Sequence, residues 1–316
     1  MDQLRVWING SFVDDLEAKT SVFDAGFQHG VGLFETLSAR NGRVFRAQNH
    51  MERIAESAAM LRLTEKLQIN PLVEALQLTL EENKQQEARM RITITGGDLN
   101  LLQQTGESGC GDPTIVIQSQ PPTQYPEAFF KNGVKVSVAS GRINPYEFSA
   151  GHKTLNYWSR LLNLQMAAMQ QCGEALWLTP SATVAGGCVS NIFVVRNGTL
   201  FTPTARGEED PSDEPSAVLP GITRKVVVEL AQGLGIGTSK QKLMFDDVLG
   251  ADEVFLTNSS WGVLPVVGLR ASIQAEGGAG TQDQIIGGGV VGPLTKQFHI
   301  SYQDTVERDT AGLSQT

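Results

Sequence analysis

Cysteine is scarce: Cys110, Cys172 and Cys188 are the only three in 316 residues. Their number is odd and their spacing matches no zinc motif, so a disulfide framework is not expected, no metal site is suggested, and the thiols read as reduced and structural. Long apolar runs are also lacking. None reaches the roughly eighteen residues of a membrane-spanning helix, and no signal-like apolar stretch follows Met1-Asp2-Gln3-Leu4-Arg5. A cytoplasmic protein away from the membrane is therefore expected. Basic charge is in deficit, with 25 Lys and Arg against 34 Asp and Glu and a net charge of −9. This argues against a nucleic-acid or anionic-membrane surface but leaves room for a local anion pocket. A small-molecule partner fits better. What is present is core-forming material: 41% hydrophobic residues, ample for one large or two medium domains.

Along the chain, Val6-Trp7-Ile8 and Phe12-Val13 flank Asn9-Gly10, and a second Asn-Gly at 41 and 42 separates Phe34-Glu35-Thr36-Leu37 from Val44-Phe45. Both read as hairpins. Helical periodicity follows in Met51, Ile54, Ala58 and Leu61 and again over 72–80, before alternating Met90, Ile92 and Ile94 signal a strand. These elements predict a small α+β domain over 1–117. Residues 118–125, with two prolines and few apolar side chains, read as a linker, and 126–316 as a larger domain. There, Val134, Val136 and Val138 alternate, a helix is expected over about 155–171, and strands over 175–178 and 191–195. Many short strands with few helices suggest a curled sheet. The acidic, proline-rich stretch 205–216 and the glycine-rich stretch 276–289 are expected to be loops, the former mobile and exposed.

The chemistry centres on Lys153, in Ser149-Ala150-Gly151-His152-Lys153-Thr154-Leu155-Asn156-Tyr157. A lysine amid small residues at a strand-to-helix junction suits a Schiff base with an aldehyde cofactor, which needs room and close backbone approach. Such a lysine must spend time neutral to act as nucleophile and base. Two further segments could hold an anion. Gly221-Ile222-Thr223 precedes a helical pattern, so its N–H groups can face a phosphate with the Thr223 hydroxyl, and Thr257-Asn258-Ser259-Ser260 adds donors after an apolar strand.

Taken in order, Gly30-Val31-Gly32-Leu33-Phe34-Glu35-Thr36, His50-Met51-Glu52-Arg53-Ile54, Lys153, Ser190-Asn191-Ile192-Phe193, Leu219-Pro220-Gly221-Ile222-Thr223-Arg224 and Thr257-Asn258-Ser259-Ser260 resemble the fold-type IV pyridoxal-phosphate (PLP) enzymes. That group comprises the class IV branched-chain and D-amino-acid aminotransferases and 4-amino-4-deoxychorismate lyase. The resemblance implies an α+β fold with a small N-terminal α+β domain and a larger C-terminal pseudo-barrel domain, a homodimer, and PLP as cofactor. It implies that Lys153 forms the internal aldimine and shuttles the proton at the substrate alpha carbon. Arg53 would clamp the phosphate, together with Ile222, Thr223 and Ser259. Gly186, Ser190 and Asn191 would lie along the cofactor, and His29, Arg91, Tyr157, Asn258 and Ser260 would face a small amino substrate. Arg142 could also reach it.

The sequence departs from the family pattern in places. Where the family carries a glutamate for the pyridine nitrogen, this chain has Gly186. Another acid or water could substitute, the reaction could need less electron withdrawal, or activity could be lost, leaving a noncatalytic PLP-binding protein. The arginine of D-amino-acid aminotransferases is absent at Thr95-Gly96-Gly97, and Ala25 and His29 replace family arginine and aromatic residues. The spacing after Lys153 and the Asn258 segment lean toward the lyase. Aminotransfer, possible on branched-chain substrates, is the expectation, with the lyase forming 4-aminobenzoate and pyruvate as the alternative.

Overall fold

The computed structural model describes residues 3–98, 112–275 and 278–312; Cys110 lies outside them. The chain forms two compact units, one of Met1–Thr123, His152–Asn156 and Thr305–Thr316, the other of Gln124–Gly151 and Tyr157–Asp304.

The first unit runs β1 (Arg5–Ile8), β2 (Ser11–Asp14), α1 (Ala25–His29), β3 (Gly32–Arg40), β4 (Arg43–Val44), α2 (Ala47–Met60), α3 (Ile69–Glu82), β5 (Ala88–Thr95) and β6 (Ile115–Gln120). Its six strands lie in the order β2-β1-β6-β5-β3-β4, and all neighbours are antiparallel. The two Asn-Gly turns form as the sequence requires: Asn9 and Gly10 adopt φ 46° and 96°, Asn41 and Gly42 φ 53° and 69°. Paired positive φ values match the twist of two-residue hairpins. Alternation along β3 and β5 turns Leu33, Leu37, Met90, Ile92 and Ile94 to one side, where Met51 and Ile54 of α2 and Leu72, Leu76 and Leu80 of α3 complete the core.

The second unit runs α4 (Glu127–Asn132), β7 (Val134–Arg142), α5 (Trp158–Met169), β8 (Glu174–Leu178), β9 (Val184–Gly187), β10 (Asn191–Arg196), β11 (Thr199–Thr202), α6 (Ile222–Gly233), β12 (Thr238–Lys240), α7 (Phe245–Leu249), β13 (Glu253–Asn258), β14 (Gly262–Ala275) and β15 (Gly278–Ile285), then α8 (Pro293–Thr310). Nine strands form one curled, mixed sheet in the order β12-β11-β10-β13-β14-β7-β8-β9, with β15 on β14. β7 is parallel to both β14 and β8. Leu176, Ile192, Val194, Val254, Leu256 and Val266 fill one side. Phe193 stacks on Phe255 with ring centroids 5.0 Å apart.

Three local expectations are corrected. The helix after Lys153 begins at Trp158, because the backbone of Lys153 and Leu155 is bonded to β3. It stops at Met169, and Gln171 turns left-handed at φ 58°. Much of 276–289 is a strand: β15 pairs with β14 from Gly278 to Ile285, while Glu276 and Gly277 lie outside the described residues. Stretch 205–216 is anchored. Ala205 is buried, and Glu208 bonds Arg224 of α6 and Lys240 of β12. Among the described residues, no helix is long and apolar enough to cross a membrane.

Candidate active site

Lys153 is placed by backbone pairing. Its carbonyl accepts from Phe34 N at 3.0 Å and Leu155 N donates to Gly32 O at 3.0 Å, so the segment lies as a short extra strand along the start of β3. This sets Lys153 opposite Phe34, with its Nζ 4.1 Å from the ring centroid. Arg91 of β5 puts its Cζ 3.9 Å from the same centroid and donates from Nε to Thr93 Oγ1 at 3.2 Å. Two cations thus share one aromatic ring, whose quadrupole favours them.

The next residue on β3 points the other way, toward the helices. Glu35 falls between Leu33 and Leu37 on the core face and is 1% exposed; a lone carboxylate there would cost several kcal/mol. Arg53 of α2 satisfies it through Nε at 2.8 Å and Nη2 at 2.6 Å, and His50 lies 2.8 Å from the same carboxylate through Nδ1. Burial alone would raise the Glu35 carboxyl, but the Arg53 charge and the hydrogen bonds from both partners overcome it and hold it down at about 2. Burial pushes the His50 imidazole below its ordinary value, against the pull of Glu35, and the charges of Arg53 and Lys153 add to the depression.

In the second unit, α6 begins at Gly221, whose position as N-cap leaves the helix without a side-chain cap. Asn191 donates from Nδ2 to Leu219 O at 2.8 Å, and a Cβ at Gly221 would collide with the Asn191 amide oxygen, so only glycine allows this close approach. Ile222 and Thr223 form the buried first turn. In the strand facing Asn191, Thr257 has a buried hydroxyl with no hydrogen-bond partner among the described residues. Asn258 orders the turn that carries Ser259: its Oδ1 accepts from Ser260 N at 2.9 Å and Trp261 N at 3.0 Å, and its Nδ2 donates to Val189 O at 3.3 Å. An uncapped helix start, an orphaned hydroxyl and a serine-bearing turn supply the donors that a phosphate needs.

Gly186 has φ 98°, and a Cβ there would lie 2.8 Å from Ser190 O. The backbone itself excludes a side chain, so the missing carboxylate is not a simple truncation. The nearby acid is Glu174 of β8, fully buried and engaged by Ala175 N, Cys188 N, Val189 N and Ser190 Oγ at 2.9–3.2 Å. Burial raises its pKa against those bonds. Its place is to fix the 188–190 turn and, with it, Ser190.

Of the other expected residues, His29 is the exposed last residue of α1, Tyr157 is the half-buried N-cap of α5, and Arg142 is exposed, donating to Ala139 O and Gly141 O. Cys172 and Cys188 are free and buried, and the described residues hold no cluster fit for a metal ion. Sequence reasoning missed Glu35 and Glu174 as working groups. A signal existed for both: Glu35 sits within, and Glu174 at the head of, a run of strand-forming apolar residues, a pattern that demands a partner once buried.

The profile of the amino-transferase class IV family matches residues 32–269. A Methanocaldococcus jannaschii protein, described provisionally as a branched-chain-amino-acid aminotransferase, is 31% identical over 95% of this chain and 96% of its own length. The aminodeoxychorismate lyase of Bacillus subtilis is 27% identical over 82% of this chain and 85% of its own. Among solved structures, a branched-chain amino acid aminotransferase from T.th., in complex with pyridoxamine 5'-phosphate, superposes with a TM-score of 0.81 at 25% identity, covering 98% of this chain and 96% of that one.

Proposed function

This chain belongs to the amino-transferase class IV family, and from that premise we propose that it is a PLP-dependent aminotransferase acting on a small amino acid of the branched-chain kind. The observation that carries the reading is Lys153, held by backbone bonds with its amine against the Phe34 ring, which Arg91 also contacts. PLP, when bound, supplies an aldehyde that captures an amino group and a conjugated ring that takes up the electron pair released at the alpha carbon. The protein does the rest. Lys153 holds the cofactor and moves the proton at the substrate alpha carbon. Arg53, the Ile222 and Thr223 amides, the Thr223 hydroxyl and Ser259 receive the phosphate. Asn191, Ser190 and the Gly186 backbone border the ring, and Arg91, Tyr157, His29, Asn258 and Ser260 line the substrate side, with the cation of Arg91 suited to a carboxylate. With no side chain at Gly186 and the Glu174 oxygens engaged by four donors, this segment would offer the pyridine nitrogen of PLP no carboxylate, and the proton step would be slower than in an enzyme that supplies one.

The second reading is the lyase, favoured by the similarity to the Bacillus subtilis enzyme and by the Asn258 turn. Absorbance of the cofactor band during addition of amino donors and of aminodeoxychorismate separates the two. Aminotransfer shifts the band lastingly with a branched-chain donor and no keto acceptor; lyase action leaves it restored as 4-aminobenzoate and pyruvate accumulate. Borohydride should fix the cofactor on Lys153, and Lys153→Ala should abolish turnover while phosphate contacts retain some PLP. An adduct mapped to another lysine would overturn the assignment. The family resemblance also supports a homodimer.

A further inference from the structure

We propose that Glu35 is a positioning residue for cofactor phosphate recognition, fixing the plane of the Arg53 guanidinium and so the direction in which it meets an anion. The inference rests on the reading above that Arg53 receives the phosphate. A guanidinium is planar, and a carboxylate that takes two of its donors along one edge leaves it no rotation. The bonds from Nε and Nη2, at 2.8 and 2.6 Å, define such an edge. Both partners are buried, 1% exposed for Glu35 and 8% for Arg53, so water cannot substitute for either.

Stability alone gives little reason for this pair. A buried ion pair roughly breaks even with apolar residues of the same volume, and Glu35 occupies a face otherwise built of Leu33, Leu37, Met90 and Ile92. Orientation is what an apolar trio could not supply. His50, one turn from Arg53 on α2, holds the same carboxylate oxygen at 2.8 Å and locks it from the other side. Consecutive residues of one strand thereby set two functional groups: the Phe34 amide fixes the Lys153 backbone, and the Glu35 side chain fixes Arg53.

The test compares the full chain, stripped of cofactor, in its affinity for PLP and for pyridoxal, which lacks the phosphate. The ratio of the two affinities isolates the phosphate contact from folding and from capture by the lysine. Glu35→Gln should lower that ratio about tenfold, the scale of one charge-assisted hydrogen bond, with pyridoxal binding unchanged. Simple electrostatics predicts the opposite sign, because the variant is more positive and should favour an anion. Glu35→Asp, which keeps the charge but draws it back, should lower the ratio too and serves if the glutamine variant does not fold. An unchanged or raised ratio in the variants, or equal weakening of both ligands, would overturn the proposal. Arg53→Lys tells the two failures apart. If it leaves the ratio intact, the phosphate role of Arg53 falls; if it lowers the ratio while the Glu35 variants do not, only the positioning role falls.

Discussion

Placing an imidazole beside two cations in a dry site favours its neutral form, and His50 is so placed, with Arg53 and Lys153 near it and Glu35 as the sole opposing charge among its named neighbours. The folded state therefore resists protonating His50, whereas the unfolded chain accepts the proton near 6.5. Stability from this source is full above that pH and is lost as pH falls below it. Glu35 adds a second limb: its pKa of about 2 when folded, against 4.5 unfolded, makes a contribution present above 4.5 and lost as pH falls toward 2. Thermal midpoints measured from pH 8 down to pH 3 should fall in two stages. His50→Gln should flatten the upper stage; a variant with the unaltered upper stage would remove His50 as its source. Arg53 and His50 were legible in the sequence as a motif; Glu35 was marked only as a strand acid in need of a partner, and not as theirs, because it is distant in the chain and the β3 register turns it toward α2.

Among elements, stretch 205–216 shows how a composition can mislead. Acidic and proline-rich, it reads as a mobile loop, yet Glu208 makes a two-pronged pair with buried Arg224 at 3.0 and 2.7 Å, accepts from Lys240 Nζ at 2.6 Å and caps its own loop at Ala205 N. Arg224 also donates to Thr202 Oγ1 and Pro203 O. One residue thus ties the loop to the first turn of α6, next to the proposed phosphate donors. Glu208→Ala leaves the Arg224 charge poorly compensated and should cost about 2–3 kcal/mol, with cleavage by trypsin or Glu-specific protease rising within 205–216. An unchanged cleavage rate would show that other bonds hold the loop. The hairpins at Asn9-Gly10 and Asn41-Gly42 were readable because two residues alone dictate the turn. A third of the same kind, Asn197-Gly198 with φ 48° and 72° between β10 and β11, carried the same signal. β15 was not readable: polar and glycine-rich, it has no apolar face, and it is held by register with β14 and by Asp283 bonding Arg270 and Lys135.

At the scale of the whole molecule, α5 presents Trp158, Leu161, Leu162 and Met169 to solvent, the first and last 80% and 85% exposed. Apolar side chains recurring at this spacing on one helix mark a face that seeks a partner, and a second copy of the chain is the partner the proposed homodimer supplies. Light scattering after size exclusion should give a dimer for the wild type and a smaller species for Leu162→Glu. A monomeric wild type would end the dimer reading, and a variant that stays dimeric would move the interface elsewhere. The two-part fold class was legible because motif order spans nearly the whole chain, whereas the membership of each unit was not: His152–Asn156 and Thr305–Thr316 return to the first unit from far along the chain. That return has a consequence for biosynthesis. As the ribosome extends the chain, at about 5–20 residues per second, the sheet of the first unit is complete early, but its lysine-bearing strand arrives later. The bonds from Asn41 to Glu307 and from Arg46 to Asp309 must wait until the second unit has been made. The nascent protein therefore carries an unfinished first unit until its last segment is made, and Lys153 is set in place before that segment joins the unit.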